Sequence, residues 1–168
     1  MLNYSKAVLF AGTFLLGFIT QLAAQGSFTK EQFYAAMSSE KVEVLDQQLL
    51  LLKDMNGTDK RAYTGALTMK KAGYVSGVGR KLRVFKEGSK ELEAAIAHNK
   101  TNVEYRFLRL MIQEHAPGIL GYNDELETDS EYIRKSFKNL HPAVKQAIID
   151  YSKTKSKYLS EKDLNQHS

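Results

Sequence analysis

The sequence predicts an all-α fold, helical hairpins in a compact stack, and three observations carry that expectation. Residues 82–112 hold two apolar stripes with helical spacing, Leu82, Phe85, Leu92 and Ile96, then Val103, Phe107, Leu110 and Met111, joined by a short connection at His98, Asn99 and Lys100. Between the stripes, Thr101 and Glu104 read as a capping box, in which the threonine hydroxyl accepts from an orphan amide of the new helix and the glutamate reaches back to the cap. The third observation is composition: 168 residues with 43% hydrophobic and 26% charged content, two prolines and no long Gly/Ser tract make one folded domain without an internal boundary. A chain of this size buries roughly two thirds or more of its unfolded surface, so it needs no covalent or metal staple. With no cysteine, no disulfide can form.

Residues 1–24 read as an export signal. Lys6 supplies a positive start, residues 7–19 an apolar run, and residues 21–26 small side chains for cleavage, after Ala24 or, with Ala24 at minus three, after Gly26. The apolar run falls short of the ~20 residues a spanning helix needs, so no stable membrane span is expected once the signal is removed. No thiol near the cut offers itself for lipid attachment. Residues 25–168 then form a single helical domain, periplasmic or secreted. Cleavage removes Lys6 and leaves 23 basic against 19 acidic side chains, a mild excess. Lys86, Glu87, Lys90, Glu91 and Glu93 interleave the two signs as a solvated helix face does, and no basic block with aromatics for stacking calls for nucleic acid as a partner.

The helices follow in order. Phe28 and Thr29 ahead of Gln32 predict a helix start, with Phe28 stapled against Phe33 and the helix running to about Met37. Ser38 or Ser39 is expected to cap a second helix carrying Val42, Leu45, Leu49 and Leu52, with Leu50 and Leu51 widening its stripe so that it is covered on more than one side. Asn56 and Gly57 stop it. A third helix reaches from Thr58 or Asp59 to about Gly73, its inner face of Ala62, Gly65, Ala66, Met69 and Ala72 small enough for close approach by a neighbour. Gly73, Gly77 and Gly79 mark the turn into the central hairpin, which ends at His115, Ala116 and Pro117. The apolar loop from Gly118 to Tyr122 either plugs the end of the stack or forms a contact surface. Thr128 and Glu131 read as a second capping box at the end of an acidic run, leading into Tyr132, Ile133, Phe137 and Leu140. Pro142 opens the last helix, with Val144, Ala147, Ile148 and Tyr151 inward, and the period fades beyond Lys153, so residues 155–168 are expected to fray. The count is six or seven helices.

Residues 93–108, reading E-A-A-I-A-H-N-K-T-N-V-E-Y-R-F-L, resemble the junction between consecutive tetratricopeptide repeats: an alanine-rich helix end, a brief turn, a polar cap and an aromatic helix start. Residues 85–88 before it, and Ala62 with Gly65 one helix earlier, fit the same scheme, and the likeness spans about residues 61–116. It implies a stack of helical hairpins. The chain as a whole, with its leader and its N-V-E-Y-R-F-L-R-L and P-G-I-L-G-Y segments, is similar to small exported helical proteins of unknown function from Bacteroidota-type bacteria.

The side-chain inventory offers little for catalysis. There is no thiol, no G-x-S-x-G elbow, and none of His98, His115, His141 and His167 has the spacing of a helical zinc site, so no metal, cofactor or enzymatic activity is predicted. The broken glycine pattern of Gly77, Gly79 and Leu82 has no strand before it and does not make a dinucleotide fingerprint. Glu114 and His115 are adjacent, which turns them about 100° apart on a helix. The functional expectation is therefore a protein-interaction or structural module of the cell envelope, whose contact candidates are Tyr105, Arg106 and Arg109. Arg106 and Arg109 share a helix face, and the competing structural role for them is pairing with Glu104, Glu114 or the acidic loop. The alternative function is an envelope small-ligand binder or enzyme accessory, which requires a pocket between helices.

Overall fold

The computed structural model describes residues 27–165. Among these residues the chain is all-helical with no strand: α1 (Lys30–Ser38), α2 (Val42–Leu51), α3 (Gly57–Ala72), α4 (Val78–His98), α5 (Val103–Gln113), α6 (Leu126–Ser136), α7 (Pro142–Thr154) and α8 (Glu161–Asn165), with single 3₁₀ turns at Leu52–Asp54, Gly118–Leu120 and Phe137–Asn139. The expected leader and both of its cleavage positions lie outside the described residues.

Helix starts follow from the side chains that take up orphan amides. Thr29 Oγ1 accepts from the amide of Gln32 at 3.2 Å, and Phe28 staples onto Phe33 with ring centroids 6.1 Å apart. His141 Nδ1 accepts from the amide of Ala143 at 3.2 Å, with Pro142 in the first turn of α7. Three expected caps differ. Asn102, not Thr101, caps α5, its Oδ1 accepting from the amide of Tyr105 at 3.1 Å, while the Thr101 hydroxyl turns back to Asn99. The helix begins at Val103, and only the residue directly before it can reach the free amides. Thr128 lies inside α6, which begins at Leu126. Lys41 precedes α2 without a side-chain cap, and Ser39 bonds the Lys41 amide instead.

The core is built on the pairing of α3 with α4. The two helices run antiparallel after a turn in which Gly77 adopts a φ of +84°, and they touch backbone to backbone. A Cβ on Gly65 would lie 2.6 Å from the amide nitrogen of Leu92, and one on Gly88 would lie 2.7 Å from the amide nitrogen of Met69. The small inner face expected of α3 thus serves its purpose, and glycine answers it from α4. Phe85, Leu92, Ile96, Phe107 and Leu110 are all buried as the stripes predict. Leu82 is not; it stands on the surface at the start of α4, and Leu50 is also exposed, although Leu51 is partly buried and α2 meets both α1 and α3.

The chain beyond Lys155 is packed through Leu164, against the expectation that it frays. Leu159 and Leu164 are buried. Glu114 accepts from the Ser156 hydroxyl and from the amide of Lys157, at 2.9 and 2.6 Å, and Arg134 donates to the carbonyl of Tyr158 at 2.9 Å. Two leucines five residues apart show no helical period, and it is these polar ties that dock the segment and allow α8 to form as an additional helix.

Gly88→Ala separates two opposed effects. Helix propensity alone would stabilise α4 by about 1 kcal/mol, whereas a methyl forced against the backbone of α3 costs about 1–3 kcal/mol. Urea unfolding should show net destabilisation, and a more stable variant would contradict the close crossing.

Candidate functional site

Of the sequence-predicted contact residues, Arg106 and Arg109 come together on Asp129, while Tyr105 turns to Asp59 of α3. Asp129 on α6 is fully buried, with 0% exposure, and Arg109 on α5 is 7% exposed. Arg109 grips Asp129 with two donors, Nε to Oδ2 at 2.7 Å and Nη2 to Oδ1 at 2.8 Å, and Arg106 adds Nη1 to Oδ1 at 2.8 Å. The remaining Nη1 of Arg109 reaches Glu93 of α4 at 2.9 Å, whose other oxygen accepts from the hydroxyl of Tyr122. One guanidinium therefore ties α4, α5 and α6. Burial works against its charge, but Asp129, Glu93 and Glu125 more than offset this and hold its pKa above the ordinary arginine value. Arg106 also lies over the ring of Tyr132, 4.5 Å from the centroid. Tyr105 is buried and donates its hydroxyl to Asp59 of α3. Tyr105 and Arg109 are buried and Arg106 is half-buried, and the arginines pair with Asp129 of α6, a member of the acidic run.

A second polar cluster sits near the start of α5. Glu104 accepts from Tyr34 at 3.1 Å and Tyr63 at 3.0 Å through one oxygen, and from Lys30 at 2.5 Å through the other. Burial, and then the Glu104 carboxylate, push both phenols above the ordinary tyrosine pKa and keep them protonated as donors. Lys30 opens α1, Tyr63 and Asp59 lie in the first half of α3, and Glu104 opens α5, so this end of the bundle is locked by polar contacts.

The opposite end is open and apolar. There the C-terminal turns of α1, α3, α5 and α7 meet the first turns of α4 around a cleft of about 840 Å³. Its floor includes Met69, Phe85, Met111 and Tyr151, and its lip carries Val78, Leu82 and Ile119. Val78 is 85% exposed and Ile119 96% exposed. The loop that the sequence leaves open between plug and contact surface divides: Leu120 packs partly against the core while Ile119 projects into solvent. Lys70, Lys81, Lys155 and Glu40 supply charge around the opening. Such a volume lies within the ~300–1,000 Å³ typical of small-ligand sites. Compared with protein-family models, with curated proteins and with solved structures, the chain matches none.

The cleft residues come from five separate stretches, and apart from the Gly118 to Tyr122 loop the sequence carries no local signal for them. His115 also lines it, with Nδ1 3.0 Å from the carbonyl oxygen of Met111 and 3.3 Å from the hydroxyl of Tyr151, while Glu114 accepts from Ser156 and Lys157. Both neighbours still reach the Tyr151 hydroxyl, which burial and then the Glu114 carboxylate hold above the ordinary tyrosine pKa. Among the described residues no group of three or more His, Asp or Glu side chains is placed to hold a metal ion, and no helix is long and apolar enough to cross a membrane.

Removing the guanidinium of Arg109 leaves Asp129 buried with Arg106 as its remaining cationic partner. Arg109→Ala should therefore destabilise the protein by about 3–5 kcal/mol in urea unfolding. A loss under about 1 kcal/mol would return Arg109 to the surface role that the sequence suggests.

Proposed function

We propose that the protein is a non-catalytic binding module of the cell envelope whose working surface is the apolar cleft at the open end of the bundle, and that it takes a ligand of small-molecule size. The single observation behind this reading is the combination of an 840 Å³ cleft with large apolar side chains left in water at its lip, Val78 and Ile119 above all. Scattered exposed hydrophobics need no explanation, but a contiguous set rimming a concave apolar surface marks a binding site. The signal-like residues 1–24 support an envelope or secreted location, and the resemblance of residues 93–108 to a repeat junction supports a tetratricopeptide-like scaffold that offers a groove between hairpins.

A neutral fluorescent probe, 1-N-phenylnaphthylamine, tests this directly. It should bind saturably with a gain in emission. Leu82→Glu, which puts a carboxylate on the exposed rim, should weaken it tenfold or more while changing stability by no more than about 0.5 kcal/mol. Absence of saturable binding, or binding indifferent to the substitution, would overturn the reading.

A further inference from the structure

Three ammonium groups stand at the mouth of the cleft with one carboxylate. Lys70, Lys81 and Lys155 have no described carboxylate within ion-pairing distance, which they share with most surface lysines; what sets them apart is their place together on the lining of one apolar cleft. Glu40 faces the same opening, and His115, Tyr74 and Tyr151 complete its titratable lining. Lys81 donates to the carbonyl of Gly73 at 3.2 Å and Lys155 to that of Ser38 at 3.5 Å, which uses one of three N–H donors on each. Lys70 has no such bond among the described residues. Its ammonium is pushed below the ordinary lysine pKa, first by burial and then by the like charge of Lys155, with Glu40 offsetting only part of this. An apolar floor edged by three cations against one carboxylate, a net positive rim, has the polarity of a ligand with a hydrocarbon body and a negative end.

We propose, resting on the cleft as the binding site, that its ligand is a single-chain amphiphile with an anionic head of the fatty-acid carboxylate class, the chain lying on Met69, Phe85 and Met111 and the head held by Lys70, Lys81 and Lys155. A carboxylate there gains charge-assisted hydrogen bonds in a partly desolvated setting and separates the like charges of Lys70 and Lys155. The chain contributes a factor of about four in affinity for each methylene that is fully buried. The four helix C-termini at this end carry partial negative charge, which two of the lysines already offset at Gly73 and Ser38. Their unused donors and Lys70 are what remain for a head group.

Competition against bound 1-N-phenylnaphthylamine, with ligands kept monomeric, separates this from the cleft reading. Dodecanoate should displace the probe at a concentration tenfold or more below dodecan-1-ol, and dodecylammonium should be the weakest of the three. Octanoate should be at least tenfold weaker than dodecanoate. Lys70→Gln, Lys81→Gln and Lys155→Gln together should bring dodecanoate down to the level of the alcohol, each displacement being read against the variant's own probe affinity. Equal displacement by all three head groups would overturn the proposal, reducing the lysines to caps on helix ends with the cleft intact. Probe binding without displacement by any alkyl chain would overturn it in favour of a different apolar ligand. Failure of the probe itself to bind would remove the cleft reading beneath it. Sedimentation velocity supplies the last arm: a dimer that dissociates on Ile119→Glu would make a second copy of the chain the occupant and overturn the proposal, and a monomer that binds dodecanoate supports it.

Discussion

Most of the molecule hangs on the distance between α3 and α4. With glycine at 65 and 88 the two backbones come within reach of each other, and side chains on either flank of the crossing, Leu92 and Met69 among them, are fixed by it. Close-packed interiors relax little around an added methyl, so this is a constraint on the whole bundle and not a local preference. The antiparallel register that follows puts the C-terminal turn of α3 beside the first turns of α4, where Leu82, on the surface, and Phe85, buried, occupy successive turns on one side of the helix. The cleft opens at that point. Its walls therefore inherit their spacing from this crossing, where Met69, packed on Gly88, is itself part of the cleft floor.

The two ends of the bundle are held by different physics. Near the start of α5, Glu104 collects Lys30, Tyr34 and Tyr63, and further along the same helix Arg109 carries Asp129 and Glu93. Buried ion pairs of this kind are weak evidence for stability relative to an apolar core, yet each partner becomes costly to remove once the other is in place. Directional contacts also resist sliding in a way that apolar packing does not. At the other end the polar contacts of Glu114 and His115 lie behind the cleft, and apolar side chains at its lip meet water.

The helical layout was legible because each stripe lies within one helix: Leu92 to Ile96, Phe107 to Leu110 and Val144 to Ile148 reveal their inner faces from spacing alone. Cap positions shifted by a residue, as at Thr101 and Asn102, since several neighbours there are able to cap and only the backbone decides which does. Arg106 and Arg109 could be placed on a common face, but an aspartate within an acidic run gives no sign that it is the one fully buried, and burial of Asp129 is what turns those arginines inward. The docking of Leu159 and Leu164 was hidden for a similar reason, because it depends on Glu114 receiving Ser156 and Lys157 from across the fold. The cleft was the least legible feature. Met37, Met69, Phe85, Met111 and Tyr151 are far apart in sequence and become neighbours only through helix packing.

Three of the five methionines, Met37, Met69 and Met111, line that cleft, while Met55 lies outside it. Their methyl groups are built-in reporters. Methyl-labelled methionine NMR during titration with dodecanoate should move the resonances of Met69 and Met111 most, Met37 with them, and leave Met55 in place. A spectrum in which Met55 shifts as far as Met69 and Met111, or in which none of the cleft methyls responds, would contradict the cleft as the site at which this protein binds.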